Sequence, residues 1–447
     1  MVLVIISAVL YAIALIHLET FWWAIALFAC PLFCVLMRTR RPFLDGFLFG
    51  LIGFGSILAG LGYALMHYFL LSKLFAVFLT WALITYFSVL CGLWFWVTKI
   101  IKDNIVSRVP NGLWQVVTTY IWFVCSFTTF FLVLDHFSLW MFDWQGFFLF
   151  DPLLALTKWK PLGDLLMVTN KVLTLLLTFL CAMVPLFLYQ IRAYKMMFLF
   201  IVCMIMVHFM YPPNKAKKEE SFEWLDCVGV VSIICKTNDA QLLADILYNH
   251  YETLLESQPT IRCLIIPETS ILFADMRGLE LAINLFYEKC NTKDVHLIFG
   301  ALTEHGERSF NSCCWACAGH IRSIYYKSHA VPIVEQLPQW LSYFVSYSTL
   351  FPHDKEMLVA NNVLARPHYT IENDIILVPY ICSEILCNHQ LSKCHDKKRI
   401  ILALCNDAWT DFFYIKRLML AAVQLKSMLL GQSILYVTHA GMVYFEA

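Results

Sequence analysis

The chain has 447 residues, of which 60% are hydrophobic and 14% are charged. Soluble proteins carry about a quarter charged residues, so the composition excludes an ordinary soluble protein, and a net charge of zero gives no support for nucleic-acid binding. The charge deficit lies almost wholly before Pro212. The sequence therefore predicts an integral membrane protein whose first half crosses a bilayer and whose second half lies outside it.

Seven apolar stretches in the first half are candidate membrane spans, because a span needs about 20 mostly apolar residues. The first two are short and are also compatible with one shallow helical hairpin. The stretch 137–157 is interrupted by Asp143, Asp151 and Pro152, which predicts an interfacial or re-entrant segment. The seven candidates cover residues 2–17, 21–37, 44–71, 74–98, 113–134, 168–190 and 195–211.

The distribution of basic residues predicts the orientation of these spans. The loops after the second, fourth and sixth spans are basic, and they lie on one side of the membrane if every span crosses. That side should be cytoplasmic, so a seventh span would place the second half outside, which in a Gram-negative cell is the periplasm. Losing one span would reverse this orientation. The basic residues are Arg38, Arg40, Arg41, Lys99, Lys102, Arg108, Arg192 and Lys195.

After the apolar half, the spacing of hydrophobic residues along the sequence changes. Prolines end the last helix, and residues 212–220 are predicted to form a charged linker between a transmembrane domain, 1–211, and a second domain, 221–447. In the second domain, short apolar runs alternate with amphipathic patterns, which predicts a layered α/β domain. Strands are expected at 225–234, 261–266, 295–302, 323–326, 375–378, 400–404 and 433–438, and helices at 239–257, 276–290 and 411–431.

Three short segments place a reactive residue just after a predicted buried strand, where α/β folds tend to hold functional groups. They end at Glu268, at Lys327 and at Cys382. A thiol must become a thiolate to attack a carbonyl carbon, a carboxylate can accept its proton, and an ammonium can stabilise the resulting oxyanion. The three residues therefore predict a base, a cation and a nucleophile for acyl transfer through a thioester.

The order Glu, Lys, Cys resembles that of the nitrilase, or carbon–nitrogen hydrolase, superfamily. With a multi-span domain in front, the chain is similar to the apolipoprotein N-acyltransferases. Most of residues 225–441 takes part in this resemblance. The supporting segments are Phe310-Asn311-Ser312, Lys327-x-x-x-Val331-Pro332-x-x-Glu335, Cys382-x-Glu384, Asn406-Asp407-Ala408-Trp409 and Thr438-His439-Ala440-Gly441.

The resemblance implies a nitrilase-like αββα sandwich with Glu268 as general base, Lys327 as oxyanion stabiliser and Cys382 as nucleophile. It implies supporting roles for Glu335, which would hold Lys327, and for Glu384, Asn406 and Trp409. It implies no cofactor and no metal, a phospholipid as acyl donor, and the N-terminal amine of a lipoprotein as acceptor. The expected location is a bacterial inner membrane, with the second domain in the periplasm.

Some positions depart from the family pattern. Ser383 replaces an aromatic residue beside the nucleophile, and Val334 stands where a glycine usually precedes Glu335. The family's Arg-Ala-x-Glu segment is replaced at residues 422–426, and its closing strands and last transmembrane helix would lie beyond Ala447. Either another element covers the sheet edge that this would expose, or the domain is a pared-down relative. The alternative function is therefore a non-catalytic scaffold, similar to nitrilase-like membrane proteins of conjugative plasmids.

Two cysteine-rich segments raise the question of metal binding. Cys314-x-x-Cys317, preceded by Cys313, has no second pair at a spacing that would complete four ligands. Cys387, His389, Cys394 and His395 are irregularly spaced and are expected to form a surface loop. Hydrolysis of small amides is a further alternative, but an enzyme with that activity would not need a membrane anchor.

Overall fold

The computed structural model describes most of the chain. It covers residues 1–21, 24–67, 72–106, 108–110, 112–137, 151–157, 171–210, 224–273, 275–292, 294–305, 308–331, 335–337, 342–343, 346–350, 367–371, 375–387, 399–407 and 413–446. The predicted linker and most of the stretch 137–157 lie outside these residues. Residue contacts define two compact units: Met1–Ser138, Gln145–Ala216 and Thr410–Leu425 form one, and Leu139–Trp144, Lys217–Trp409 and Lys426–Ala447 form the other.

The apolar half is helical. Among the described residues, four helices, α3 to α6, are long and apolar enough to cross a membrane, and α1 and α2 are shorter apolar helices. These helices make the chain a membrane protein, whereas the count of seven spans and their orientation stay predictions. The helices of ten or more residues are α1 (Val2–Ile16), α2 (Ala29–Arg38), α3 (Pro42–His67), α4 (Lys73–Val106), α5 (Leu113–Phe137), α6 (Lys171–Gln190) and α7 (Tyr194–Met210).

Helices α3 and α4 pack closely because glycines line their contact. A Cβ atom at Gly46 would lie 2.5 Å from the carbonyl oxygen of Cys91, and one at Gly50 would lie 2.6 Å from the Cα atom of Ser88. Both distances are shorter than any real Cβ contact. Small residues at such positions let two backbones approach inside a membrane, where helix association depends on packing.

The first sheet of the polar half has six strands. Strands β1, β2 and β4 run parallel to β3, and β5 and β6 continue the sheet antiparallel. Helices α8 (Ala240–Ser257) and α9 (Met276–Cys290) connect the parallel strands and bury Leu247 and Phe286 in the core. Asp239 and Asp275 begin these helices by accepting hydrogen bonds from backbone N–H groups. The strands are β1 (Val228–Val230), β2 (Cys235–Lys236), β3 (Cys263–Phe273), β4 (His296–His305), β5 (Arg308–Cys317) and β6 (His320–Tyr326).

The second sheet has the order β11–β10–β9–β8–β7. Its three central strands are parallel and its two outer strands antiparallel, and helix α10 (Phe413–Leu430) connects β9 to β10. Tyr369 stacks on Trp315 of the first sheet with ring centroids 5.5 Å apart, and its hydroxyl donates to the carbonyl oxygen of Cys313 at 3.0 Å. The two sheets therefore face each other. The strands are β7 (Tyr369–Thr370), β8 (Ile376–Ile381), β9 (Arg399–Leu404), β10 (Ile434–Thr438) and β11 (Gly441–Phe445).

The predicted fold class, a helical membrane domain followed by an α/β sandwich, is confirmed. The predicted strands at 261–266, 295–302 and 400–404 coincide with parts of β3, β4 and β9. The interpretation of 225–234 as one strand is wrong, because only Val228–Val230 pairs there and a 3-10 turn precedes it. Strands β2, β5, β7 and β11 were not predicted, since polar residues interrupt β5, and β2 and β7 have only two residues each.

Replacing Phe286 with alanine tests the core beneath the first sheet. Its side chain is fully buried against the sheet, whereas Leu281 on the same helix is 53% exposed. We expect Phe286→Ala to cost about 3–5 kcal/mol of stability through the cavity it leaves, and Leu281→Ala to change it by less than about 0.5 kcal/mol. Melting of the detergent-solubilised full chain measures both, and equal melting temperatures for the two variants would contradict this packing.

Candidate functional site

Glu268 lies on an interruption of strand β3. The register of β3 against β4 shifts between Ile266 and Ile271, so that residues 267–270 face Gly300 alone. A Cβ atom at Gly300 would lie 2.4 Å from the carbonyl oxygen of Pro267 and 2.5 Å from the Cα atom of Glu268. Thr269, next in the chain, has a positive φ of 53°. The bulge therefore depends on the missing side chain at Gly300, and it projects Glu268 away from the strand.

Lys327 follows strand β6 and is paired with two carboxylates. Its Nζ atom lies 2.8 Å from Oε1 of Glu335 and 3.2 Å from Oε1 of Glu268. All three side chains are buried, with Lys327 only 2% exposed. A buried ammonium is stable only when charges and hydrogen bonds compensate for lost hydration. The two glutamates supply that compensation.

Asparagine side chains and backbone groups fix the two glutamates further. The Nδ2 atom of Asn311 donates to Oε1 of Glu268 at 2.8 Å and to Oε1 of Glu335 at 3.2 Å. The backbone N–H of Asn406 donates to Oε2 of Glu268 at 2.8 Å, while its side chain donates to Thr269 at 2.8 Å. The backbone N–H of Val331 donates to Oε2 of Glu335 at 2.6 Å. Both carboxylates are thus held in single positions.

Cys382 occupies the sharp turn where strand β8 becomes the 3-10 turn Cys382–Leu386. Its φ is 47°, a left-handed conformation that is uncommon for a residue with a side chain. Such strain persists only where surrounding contacts enforce it, and it is concentrated at functional sites. The thiol is buried, with 8% of the residue exposed.

Glu384 supplies the contacts that hold this turn. Its Oε2 atom accepts from the backbone N–H of Ile381 at 2.9 Å, and its Oε1 atom accepts from the hydroxyl of Tyr325 at 2.7 Å. The backbone N–H and the hydroxyl of Ser328 also donate to Oε1, at 2.7 and 2.6 Å. One fully buried carboxylate therefore ties the cysteine turn to the segment that follows Lys327. Ser383, which replaces the expected aromatic residue, donates to the carbonyl oxygen of His329 at 3.3 Å.

The charges in this cluster act on each other. Burial alone would lower the pKa of Lys327, but the carboxylates of Glu268 and Glu335 outweigh it and raise that pKa well above its usual value. The pKa of Cys382 is raised well above the usual thiol value by its hydrogen bond with Cys405, by burial and by the negative charge of Glu268, against the opposing effect of Lys327. At rest, Lys327 is an ammonium and Cys382 is a protonated thiol.

The structure brings most of the predicted site residues together. Glu268, Lys327 and Glu335 are in direct contact, and Cys382 lies close enough for the charges of Glu268 and Lys327 to act on its thiol. Asn406 contacts Glu268 and Glu384 holds the cysteine turn, whereas Trp409 and Val334 lie outside the described residues.

Sequence reasoning gave no role to several side chains of the site. Asn311 appeared only as part of a resembling segment, although it bridges both glutamates. Tyr325 and Ser328 precede and follow Lys327 in the chain, and Cys405 directly precedes the segment that begins at Asn406. Their positions beside recognised motifs were the only signal available, because the contacts join residues distant in sequence.

Metal binding has no further support in the described part of the chain, which contains no group of three or more His, Cys, Asp or Glu residues placed to hold an ion. Cys313 and Cys314 are both buried within β5. Successive strand residues point to opposite faces, so these two cannot share one ion on one face. Of the second segment, Cys387 is buried, and His389, Cys394 and His395 lie outside the described residues.

Removing the charge of Glu268 tests the electrostatics of the thiol. Because this carboxylate raises the pKa of Cys382, Glu268→Gln should lower that pKa and move alkylation of Cys382 by iodoacetamide to lower pH. Mass spectrometry of the Cys382 peptide after short pulses across a pH series measures the shift. Glu252→Gln, on the exposed face of α8, is the matched control and should leave the profile unchanged. A profile displaced to higher pH would mean that Glu268 promotes ionisation.

The comparisons with known proteins give distant structural likenesses. The chain is similar to a carbon–nitrogen hydrolase from Helicobacter pylori G27, with a TM-score of 0.32, 11% identity and coverage of 47% of this chain and 72% of the other. It is similar to a CN-hydrolase superfamily protein from Xanthomonas campestris, with a TM-score of 0.30 and 14% identity, and to a nitrilase superfamily member from Saccharomyces cerevisiae, with a TM-score of 0.31 and 10% identity. Each of these likenesses covers 47% of this chain and 74% of the other. No protein-family model and no curated protein matches the chain. These likenesses are too distant to assign a family.

Proposed function

We propose that this chain is a membrane N-acyltransferase. It moves a fatty acyl group from a phospholipid, through a thioester at Cys382, to the N-terminal amine of a lipoprotein. The observation that carries the proposal is the cluster itself: a carboxylate, an ammonium and a thiol, distant in sequence, meet in one buried group. In addition, Cys382 has a positive φ, and a separate buried carboxylate, that of Glu384, holds its turn.

In the first half-reaction, Glu268 accepts the thiol proton of Cys382 and the sulfur attacks the ester carbonyl carbon of the donor. The oxyanion that forms is stabilised by the ammonium of Lys327, which Glu335 and Asn311 help to position. The oxyanion then collapses, the ester C–O bond breaks, and the departing alcohol takes the proton back from Glu268. A thioester on Cys382 and a lysophospholipid result.

In the second half-reaction, the amine of the acceptor attacks the thioester carbonyl. Glu268 removes a proton from the attacking amine, Lys327 again stabilises the oxyanion, and the C–S bond breaks to leave an amide. The departing sulfur takes the proton from Glu268, which restores the resting thiol. Each group therefore returns to its starting state after one turnover.

The charge of the cluster suits this sequence of proton transfers. Two carboxylates and one ammonium give a net charge of about −1 while the thiol is protonated. Moving the thiol proton to Glu268 creates a thiolate and removes a carboxylate charge, so the total stays the same. No charge enters or leaves a buried region, which would otherwise cost several kcal/mol per ion.

The substrate class follows from the apolar half. Four helices long and apolar enough to span a bilayer lie in the same chain as the cluster, so its donor is available in the membrane to which the chain is fixed. A phospholipid ester is the abundant acyl donor there. Water would suffice as acceptor for hydrolysis of small amides, but such an enzyme would gain nothing from a membrane anchor.

Incubation with a phospholipid carrying a labelled acyl chain tests the proposal. We expect mass spectrometry to find the label on Cys382 as a hydroxylamine-sensitive thioester, and on an acceptor peptide amine when one is added. Cys382→Ala should lose both products, at least about a 10³-fold drop in transfer, because removing a nucleophile leaves only residual catalysis. Cys387→Ala is the matched control, since Cys387 is also buried on the same turn but contacts the carbonyl oxygen of Ser383.

The outcomes separate the alternatives. Growth of a strain depleted of its own N-acyltransferase, restored by the wild-type chain but not by Cys382→Ala, would extend the result to cells. Transfer that persists in a folded Cys382→Ala protein would overturn the proposal. A wild-type chain that is folded and forms no thioester would favour the scaffold function.

A further inference from the structure

A second cysteine lies beside the proposed nucleophile. Strands β8 and β9 are parallel neighbours, and their last registered pair is Ile381 opposite Leu404. Cys382 and Cys405 directly follow β8 and β9, so the two occupy equivalent positions at the carboxyl ends of neighbouring strands. Neighbouring strands are about 4.8 Å apart, within the Cα separations of roughly 4.4–6.8 Å at which disulfides form.

The two thiols influence each other. Cys405 is the largest of the influences that raise the pKa of Cys382, and it is among those that raise the pKa of the Tyr436 hydroxyl on the next strand, β10. Both cysteines are buried, at 8% and 2% exposed, and both are free thiols. The backbone of Cys405 is fixed as well, because its N–H donates to the carbonyl oxygen of Val437 at 2.9 Å. Two free thiols are therefore held next to each other, with no disulfide between them.

Other cysteines near the nucleophile are differently engaged. Cys387 directs its thiol to the carbonyl oxygen of Ser383 at 3.6 Å. Cys313 lies in the opposite sheet, where Tyr369 donates to its carbonyl oxygen. In the described part of the chain, Cys405 is therefore the thiol that is placed to react with Cys382.

We propose that Cys382 and Cys405 form a reversible disulfide when a hydroperoxide oxidises the nucleophile, and that this bond switches the site off. The loss of acyl transfer rests on the proposed function, whereas formation of the bond does not. The pair is a modification site in its own right, with Cys382 as the peroxidatic thiol and Cys405 as the resolving thiol.

The chemistry balances with hydrogen peroxide as oxidant. The thiolate of Cys382, formed when Glu268 accepts its proton, attacks one peroxide oxygen; the O–O bond breaks and the departing hydroxide takes the proton from Glu268 as water. The product is a sulfenic acid. The sulfur of Cys405 then attacks the sulfenic sulfur, the S–O bond breaks, and hydroxide leaves with the Cys405 proton as a second water. Two thiols and one peroxide give one disulfide and two waters.

A resolving thiol beside Cys382 would protect the nucleophile from irreversible oxidation. A sulfenic acid that is not captured proceeds to sulfinic acid, which thiols cannot reduce. A resolving thiol already in contact captures the intermediate before a second peroxide arrives. The disulfide removes the thiol proton and the nucleophile, so the reaction stops. The contacts between Glu268 and Lys327 would remain in place.

The test uses the full-length chain in detergent, treated with hydrogen peroxide and digested without reduction. We expect mass spectrometry to find one cross-linked peptide pair joining Cys382 and Cys405, two hydrogens lighter than the separate peptides. Dithiothreitol should restore both thiols to alkylation and restore acyl transfer to at least about 80% of the untreated level. Sulfinic acid at Cys382 with Cys405 still a free thiol would overturn the inference.

Variants sharpen the result and separate it from the proposed function. Cys405→Ser should convert reversible inactivation into irreversible oxidation of Cys382, whereas Cys387→Ser should behave as wild type. Reversible inactivation that persists in Cys405→Ser but is lost in Cys387→Ser would contradict the assignment. If the untreated chain transfers no acyl group but the Cys382–Cys405 bond still forms and is reduced, the proposed function fails and the disulfide stands.

Discussion

The arrangement of the polar half depends on one buried ammonium shared by two carboxylates. Lys327 contacts both Glu268, from the bulge of β3, and Glu335, from the segment after β6. Removing one member of a buried pair leaves an uncompensated charge and costs about 3–5 kcal/mol. The interaction therefore holds the bulge of β3 against the segment that follows β6, and it also contributes to the electrostatic potential around the cysteine.

That cysteine is held by a separate set of contacts. Glu384 anchors the turn through Ile381, Tyr325 and Ser328, and these contacts are distinct from the ion pairs of Lys327. Thr269 and Cys382 are among the residues with side chains that adopt positive φ, and Thr269 directly follows Glu268. Backbone strain at or next to a functional side chain, with dedicated contacts that hold it, is a feature of preorganised sites.

Much of this could be predicted from the sequence because the signals are local. The apolar stretches are long, the change of period at Pro212 is abrupt, and strands such as 261–266 and 400–404 are short apolar runs with clear ends. The order of Glu268, Lys327 and Cys382 could also be recognised, because each of the three residues follows a short apolar run. What could not be predicted depends on tertiary pairing: the bulge permitted by Gly300, the bridging by Asn311, and the neighbour relation of Cys382 and Cys405 all join residues that are far apart or carry no motif. Strand β5 was not predicted for a related reason. Its sequence of polar and apolar residues reflects the contacts on the two faces of the sheet, and not hydropathy alone.

The glycine contact between α3 and α4 has a consequence for how the chain is made. The two helices are consecutive, and their backbones approach at Gly46 and Gly50 without needing any residue of the polar half. The hairpin can therefore assemble in the bilayer during synthesis, as soon as its second helix has been inserted and well before residues beyond 220 emerge from the ribosome. A methyl group added at Gly46 would therefore disturb this early step of biogenesis, before the polar half has been synthesised.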